Sequence, residues 1–365
     1  MNPSEFRDLV SGRRRGVSAG MVRSLLRLVE FPYTWAVGLR NRRYDRGRTP
    51  VHRVGVPVVS VGNLTLGGTG KTPLVQWLAR WFADQGIRAA VVSRGYKAAD
   101  GNAMNDEALE LERRLPGVPH VENPDRVAAA RVAVEQRGAE AIVLDDAFQH
   151  RRIARDLDVV LLDALEPFGF DHVFPRGTLR EPVASLARAD VVAVSRADLL
   201  DPMARAAIER RVRAIRPDAV WLEVTHEPRA LTAADGSTRP LDMLRDRPVA
   251  AFCGLGNPAG FRHTLAACGF RLVELREFPD HHRYDHDDVD SLSAWADRLE
   301  VDAVVCTGKD LVKLDVAHLG RRPLWAVSIE LGFLAGREAF EQRIGKLLTK
   351  NADQAVANHH RGRPT

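Results

Sequence analysis

The sequence predicts an α/β protein with a mostly parallel sheet, and three observations support this prediction. Short apolar runs alternate with helical patterns along most of the chain. A glycine-rich turn, GNLTLGGTGKTP, joins the first apolar run to the helix that follows it. The chain has 365 residues, of which 45% are hydrophobic, so it is long enough for two domains and apolar enough to form a full core. Disorder is therefore excluded as the overall class.

The alternation also predicts the domain organisation. In a first domain at 51–224, we expect strands at Val56–Val61, Ala89–Ser93, Ala141–Leu144, Val159–Leu162, Val191–Val194 and Val220–Val224, with helices at Pro73–Gln85, Arg126–Arg137 and Met203–Ile215. A polar segment at 225–247 that contains DGSTRP predicts a linker. A smaller α/β domain at 248–350 then holds strands at Val249–Cys253, Ala303–Cys306 and Trp325–Ile329 and helices at Pro258–Cys268 and Arg337–Leu348. We expect the tail at 351–365 to be disordered.

The first fifty residues differ from the rest of the chain in charge. The whole chain has a formal net charge of +5, whereas residues 1–50 contain eleven arginines, no lysine and four acidic residues. Within Met21–Glu30 the apolar residues recur at helical spacing, and aromatic residues follow. This pattern fits either an amphipathic helix on an anionic membrane surface or a helix packed on the core with a solvated basic flank. Nucleic acid is disfavoured as a partner, because the basic excess is confined to one end.

Composition excludes several other classes. No apolar run reaches the roughly 18 residues that a membrane span needs, and the N-terminal residues lack the pattern of a secretory signal. Cys253, Cys268 and Cys306 show no paired spacing. We therefore expect neither a disulfide framework nor a zinc site. The lack of paired cysteines also indicates a reducing compartment.

The turn after the first strand has the pattern of a phosphate-binding loop. In such a loop, backbone N–H groups and the N-terminus of a helix face the phosphates, the lysine reaches the β- and γ-phosphates, and the following hydroxyl binds Mg²⁺. The usual spacing GxxxxGK[ST] has glycine where this chain has Thr65. The predicted fold class is therefore a P-loop NTPase-type domain, a second, smaller α/β domain and an N-terminal amphipathic helix. The predicted nucleotide-binding residues are Thr65, Leu66, Gly67, Gly68, Thr69, Gly70, Lys71 and Thr72.

An acidic pair follows a second buried strand, in AIVLDDAFQH. A carboxylate at this place can hold Mg²⁺ or its waters, so we expect Asp145 and Asp146 to form the metal site with Thr72. Two alternatives remain at this stage. An aspartate at the end of a strand can cap a helix, and Asp163 in DVVLLDA is a competing metal ligand.

The residues alone leave the nucleotide and the reaction open. VVAVSRADLL is a degenerate relative of the N-K-x-D motif, which would bind guanine through Asp198. Leu66 stands where ParA/MinD-like ATPases carry their signature lysine, which disfavours that class of partner-activated dimers. A nucleotide-dependent switch and a soluble kinase for a small metabolite are two functions that the residues alone leave open.

Eight strings occur in one order along the chain: GNLTLGGTGKTP, SRGY, NDEA, LDDAFQH, LREP, FCGLGNPAGF, FPDHHRY and TGKDLVKL. Together they resemble the tetraacyldisaccharide 4′-kinase (lipid A 4′-kinase) family over roughly residues 25–348. The resemblance implies that ATP, with Mg²⁺, donates its γ-phosphate to the 4′-hydroxyl of a lipid A precursor, tetraacyldisaccharide 1-phosphate. It also implies a peripheral position on the cytoplasmic face of the inner membrane, which favours the membrane interpretation of the N-terminal helix.

The same resemblance implies roles for individual residues. Asp106 would be the catalytic base that takes the 4′-OH proton, and His281, or its neighbour His282, would be its partner. Other positions would shape the site or hold the substrate phosphate: Tyr96, Glu107, Arg126, His150, Arg180 and Glu181. The chain departs from the family pattern at Asn105, Ala108 and Ala147, and in FPRGTLREP and TGKD. These departures bear on the preference for sugar and acyl chains more than on the type of reaction.

Overall fold

The computed structural model describes residues 3–95, 111–255, 258–279, 282–314 and 316–348, which fall into two compact units. The described residues of the first unit lie within Met1–Arg94, Val118–Thr225 and Gly332–Thr365. Those of the second unit lie within Gly95–Gly117 and His226–Leu331. The predicted domain boundaries stay a prediction.

The first unit contains most of the helices. These are α1 (Pro3–Val10), α2 (Val17–Asp45), α3 (Lys71–Asp84), α4 (Arg126–Glu135), α5 (Pro202–Arg213) and a last helix at 337–348. Its strands are β1 (Val58–Asn63), β2 (Ala89–Ser93), β3 (His120–Glu122), β4 (Ala141–Asp145), β5 (Leu157–Asp163), β6 (Val191–Ser195) and the first half of β7 (Val220–Thr232).

The strands of the first unit form a parallel sheet in the order β7-β6-β5-β1-β4-β2-β3. Strand β1 lies between β5 and β4, and all six of its residues are buried. Because β1 and β4 are parallel neighbours, the loop after Asn63 and the residues after Asp145 meet at the same edge of the sheet. The sheet therefore brings together the two motifs that the sequence analysis selected.

Helices pack on this sheet through small and branched side chains. Ala129, Ala130 and Ala133 of α4 lie in one buried cluster with residues of β2 and β4, and Ile208 and Val212 of α5 lie in another with residues of β5 and β6. Helix α3 contacts β1, β2 and β4. The start of α3, where the phosphate-binding loop ends, is thus anchored on the sheet.

The second unit has its own buried clusters. Its strands are the second half of β7, β8 (Thr238–Pro240), β9 (Pro248–Cys253), β10 (Arg271–Glu277), β11 (Ala303–Thr307), β12 (His318–Leu319) and most of β13 (Arg322–Ala335). Its helices are α6 (Pro258–Ala267), α7 (His286–Arg298) and α8 (Gly308–Leu314), and residues 111–114 are also helical. Strands β10-β9-β11-β13 pair in parallel in this order, with Phe252, Leu292 and Trp295 in one of its buried clusters.

The predicted alternation of strands and helices is present, with three differences. Helix α2 runs over 29 residues instead of the ten predicted, and it continues through Pro32. Strands β3, β10 and β12 and helices α1, α7 and α8 had no counterpart in the sequence analysis. The segment predicted as a linker, 225–247, contains the second half of β7, β8 and a short 3-10 helix. Among the described residues, no helix has the length and apolar content required to cross a membrane.

Candidate active site

The loop between β1 and α3 has the backbone geometry of a phosphate-binding loop. Gly70 adopts a left-handed conformation (φ 76°), and α3 begins at the next residue, Lys71. Gly62 at the end of β1 has no room for a side chain, because an added Cβ would lie 2.6 Å from the Cβ of Phe148. All eight predicted nucleotide-binding residues lie in this loop or at the start of α3.

Hydrogen bonds hold this loop, and they explain why the chain can have threonine at position 65. The N–H of Leu66 donates to the carbonyl of Thr178 (2.7 Å), and the N–H of Arg180 donates to the carbonyl of Leu64 (2.6 Å). Thr65 thereby forms a short antiparallel bridge with Leu179 and is buried. Threonine favours extended backbone, so this position needs no glycine.

Asn63 is a residue of this loop that the sequence analysis missed. Its side-chain amide donates to the Oγ1 of Thr69 (3.1 Å) and lies 3.4 Å from the carbonyl of Gly67, while Gln149 donates to the Asn63 carbonyl (2.8 Å). The string GNLT could have indicated this role, because an amide side chain at the end of a buried strand requires hydrogen-bond partners.

Asp146 is the carboxylate that faces the loop. Its Oδ1 lies 3.3 Å from the Nζ of Lys71, and each of its oxygens accepts a hydrogen bond of 2.9 Å from the Nη1 of Arg180. Burial by itself would raise the pKa of the Asp146 carboxyl, but the charges of Lys71 and Arg180 and their hydrogen bonds outweigh it. The pKa therefore lies below its ordinary value, and Asp146 is ionised at neutral pH.

Two further predicted residues lie beside this pair. Arg126, the first residue of α4, is buried, and its Nη2 lies 3.5 Å from the carbonyl of Asp145. His150 has a buried Nε2 with no hydrogen-bond partner among the described residues. Burial and the positive charges of Arg126 and Arg152 lower the pKa of His150 to about 4. At neutral pH this ring is therefore uncharged.

The structure brings together Lys71, Thr72, Asp145, Asp146 and Arg180 at the carboxyl edge of the sheet. A lysine, an arginine and a helix N-terminus supply positive charge for phosphates, and the acidic residues supply oxygen ligands. This arrangement fits a nucleoside triphosphate with Mg²⁺.

The family of the chain follows from sequence comparison. A sequence model of the LpxK family, described as tetraacyldisaccharide-1-P 4′-kinase, matches residues 22–349. The chain belongs to the tetraacyldisaccharide-1-P 4′-kinase family. The chain is therefore a kinase, and the predicted membership is confirmed.

Individual relatives agree with this family assignment. A tetraacyldisaccharide 4′-kinase from Anaeromyxobacter dehalogenans (strain 2CP-C) is 44% identical over 354 residues, which cover 90% of this chain and 91% of the relative. One from Geobacter sulfurreducens is 35% identical over 347 residues, which cover 89% and 94%. The crystal structure of LpxK from Aquifex aeolicus in complex with ATP matches with a TM-score of 0.71 at 30% identity, covering 89% of this chain and 99% of that chain. The predicted P-loop fold class is confirmed.

In this 4′-kinase family member, Asp163, the competing candidate for the metal ligand, is held by other contacts. Asp163, at the end of β5, forms an ion pair with Arg196, and its Oδ1 accepts a hydrogen bond from the N–H of Leu165 (3.0 Å). Arg196 belongs to the SRAD string, so that string supplies the partner of Asp163. Asp146, rather than Asp163, is the carboxylate that lies next to Lys71.

Glu181 has a different environment from Arg180, although the two are consecutive. It is fully buried, and its carboxylate accepts hydrogen bonds from Arg40, Asn41 and Arg188. The structure therefore places Glu181 against helix α2, whereas Arg180 reaches the phosphate-binding loop.

The other residues predicted for this kinase are outside the described ranges or in the second unit. Tyr96, Asp106, Glu107 and His281 are outside the described residues. His282 is described: its Nε2 lies 2.7 Å from the Oδ2 of Asp288.

The second unit of the kinase contains a buried carboxylate that the sequence analysis did not select. Asp310, in the TGKD string, accepts hydrogen bonds from the N–H of Gly254 (3.1 Å), the hydroxyl of Tyr284 (3.0 Å) and the hydroxyl of Thr307 (2.6 Å). Burial and the nearby Asp310 carboxylate raise the pKa of Tyr284. Asp310 thus joins three of the family strings, which its isolated place in the sequence could not show.

Proposed function

We propose that this kinase transfers the γ-phosphate of ATP to the 4′-hydroxyl of tetraacyldisaccharide 1-phosphate at the surface of a bilayer. The observation that carries the proposal is the contact of Lys71 and Arg180 with Asp146 beside the phosphate-binding loop, in a chain of this family. Phosphoryl transfer depends mainly on positioning and on neutralising charge, and these side chains supply both.

The described residues suggest how the nucleotide is held. Lys71 binds the β- and γ-phosphates, and the backbone N–H groups of the loop surround them. The Thr72 hydroxyl and the carboxylates of Asp145 and Asp146 are the hard oxygen ligands that Mg²⁺ prefers, so these residues fit the ion. The bound Mg²⁺ neutralises charge on the phosphates. Arg180 keeps the Asp146 carboxylate in place, and the uncharged His150 shapes the site beside Arg126.

The proposed proton transfer depends on two residues outside the described ranges. By the family resemblance, Asp106 accepts the proton of the 4′-hydroxyl and His281 is its partner. An aspartate next to the acceptor hydroxyl is the usual arrangement in kinases.

The surface of α2 supports attachment to the membrane. Seven apolar side chains on one face of this helix are exposed, and we refer to them as the apolar stripe: Val17, Met21, Leu25, Leu28, Phe31, Trp35 and Leu39. They recur every three or four residues, which places them on one side of the helix. Exposed arginines flank the stripe at Arg27, Arg42 and Arg43. Such a face inserts between lipid headgroups while the arginines bind anionic lipid, at about 1 kcal/mol per basic residue. The acceptor is a lipid A precursor, so the membrane would be the cytoplasmic face of the inner membrane.

The test is transfer of labelled γ-phosphate from ATP to tetraacyldisaccharide 1-phosphate in detergent micelles. We expect transfer by the wild type and its collapse in Lys71→Ala and in Asp106→Ala. The matched controls are Lys346→Ala in the last helix and Asp242→Ala, whose side chain is exposed in the second unit. Both controls should retain the activity. A folded wild type that hydrolyses ATP or GTP but transfers no phosphate would contradict the proposal and favour a nucleotide-dependent switch.

A further inference from the structure

We propose that Arg40 and Asn41 of helix α2 are positioning residues for the phosphate site. Helix α2 would then have two functions: its apolar stripe binds the bilayer, and its opposite face keeps Arg180 and Asp146 in place beside Lys71. The proposal rests on the proposed function for what the site binds. All of the residues involved belong to the first unit.

The outer contact is an ion-pair cluster around Glu181, whose carboxylate is fully buried while the Arg40 side chain is 45% exposed. Its Oε1 accepts a hydrogen bond from the Nη2 of Arg40 (2.8 Å), and its Oε2 accepts one from the Nδ2 of Asn41 (3.0 Å) and one from the Nη2 of Arg188 (2.8 Å). A fully buried carboxylate is stable only while its partners are present. Two of the three partners come from α2, so the position of Glu181 depends on that helix.

The inner contact starts one residue earlier. The N–H of Arg180 is bonded to Leu64 in the phosphate-binding loop, and its guanidinium holds both oxygens of Asp146 at 2.9 Å. Because Arg180 and Glu181 are consecutive, a shift of the backbone at Glu181 changes the direction of the Arg180 side chain. Asp146 in turn lies 3.3 Å from Lys71. The peptide bond between Arg180 and Glu181 therefore joins two sets of contacts, one to α2 and one to the phosphate-binding lysine.

A second connection comes from Arg151, the residue after His150. Its Nη1 donates to the carbonyl of Asn41 (3.1 Å), its Nη2 bonds the Oδ1 of Asp45 (2.7 Å), and its guanidinium lies over the ring of Tyr44 (5.1 Å). Arg151 follows LDDAFQH, the string that contains Asp146. The last turns of α2 are thus bound to both segments that supply residues to the phosphate site.

These contacts predict an effect on nucleotide binding that needs no membrane. If α2 only attached the enzyme to lipid, changes on its inner face would leave ATP binding in solution unaltered. If α2 positions Arg180, loss of a contact to Glu181 loosens Asp146 and Lys71 and weakens binding of MgATP.

The experiment is the dissociation constant of MgATP, measured by titration calorimetry on the full chain in detergent without lipid. Arg40→Ala removes one partner of Glu181, and Glu181→Gln removes the charge at nearly constant size. We expect each to raise the Kd by about tenfold, the effect of losing one charge-assisted hydrogen bond. Arg40→Lys should recover most of the affinity. The control is Arg43→Ala, which removes the same charge from an exposed position of the same helix and should leave the Kd unchanged.

Thermal unfolding of each variant shows whether it is folded. An unchanged Kd in folded Arg40→Ala and Glu181→Gln would overturn the proposal, as would an equal loss in Arg43→Ala, because the effect would then come from general charge. A wild type that binds no MgATP would overturn both this proposal and the proposed function. If the variants weaken MgATP binding but the wild type phosphorylates no lipid, the positioning role stands and only the lipid acceptor is refuted.

Discussion

The apolar stripe of α2 makes membrane binding sensitive to a few surface substitutions. We consider Leu25, Leu28 and Trp35, which lie near the middle of the stripe and are 61%, 72% and 65% exposed. Replacing all three with glutamine removes apolar surface but retains a residue compatible with a helix. The inner face of α2 is unchanged by these substitutions, so the fold should be preserved.

The free energy of membrane binding that the three substitutions remove follows from the exposed fractions of the side chains. Full burial of a large apolar side chain contributes about 1.5–3 kcal/mol. With roughly two thirds of each side chain still available for burial, the three together could contribute about 4 kcal/mol in a fully apolar environment. An interfacial helix enters only the boundary of the headgroups and acyl chains, so we expect about half of this. A loss of about 2 kcal/mol corresponds to a roughly 30-fold lower partition coefficient.

The assay is cosedimentation with vesicles that contain anionic phospholipid, over a range of lipid concentrations. The control combines Leu165→Gln, Met203→Gln and Leu334→Gln, three exposed apolar residues outside α2. The control protein should bind vesicles as the wild type does. Equal binding by the α2 variant and the wild type would refute the membrane role of the stripe, as would an equal loss in the control.

Three further predictions concern stability. Gly62→Ala should destabilise the protein by about 2–3 kcal/mol in urea unfolding, because the new Cβ would lie 2.6 Å from the Cβ of Phe148. The control is Gly68→Ala, whose new Cβ would have no heavy atom within 4 Å and should change the stability little. Equal losses of stability in the two variants would contradict the packing argument. Burial and nearby arginines hold the pKa of His150 at about 4, below the unfolded value of about 6.5, so its contribution to stability is complete above pH 6.5 and falls as the pH drops towards 4. His150→Gln should reduce this loss of stability by about 1–2 kcal/mol, after a discount for partial exposure. Parallel stability profiles of the variant and the wild type against pH would contradict this prediction. Asp310→Asn should lower the free energy of unfolding by about 2–3 kcal/mol, since the amide cannot accept all the hydrogen bonds of the carboxylate; an unchanged unfolding midpoint would count against this.

The elements that were predicted and those that were missed differ in burial. Strands β4 and β6 are buried and consist mostly of apolar residues, so their sequence alone indicated them. Strand β10, RLVELRE, lies at the edge of its sheet, and most of its side chains are at least partly exposed. Its charged residues interrupt the apolar run, so the sequence pattern did not indicate a strand. Helix α7 buries only Leu292, Trp295 and Ala296, which gives a weak apolar pattern.

The length of α2 shows a related effect. The apolar spacing predicted a helix over Met21–Glu30 only, and Pro32 inside the observed helix removes a backbone hydrogen bond. In the structure, Asn41 and Asp45 are bound by Arg151, and Arg40 and Asn41 are bound by Glu181. Such tertiary contacts can outweigh the unfavourable local propensity.

The sequence by itself determined the chemistry of this protein. The order strand, glycine-rich turn, Lys71, Thr72 and helix is local, and local order specifies a phosphate-binding loop because backbone geometry depends on neighbouring residues. Only the tertiary structure decided which charges meet. Arg180 lies 34 residues from its partner Asp146, and Glu181 lies 141 residues from Arg40. No local pattern encodes such pairs, since they exist only when the packing of the sheet and helices brings distant segments together.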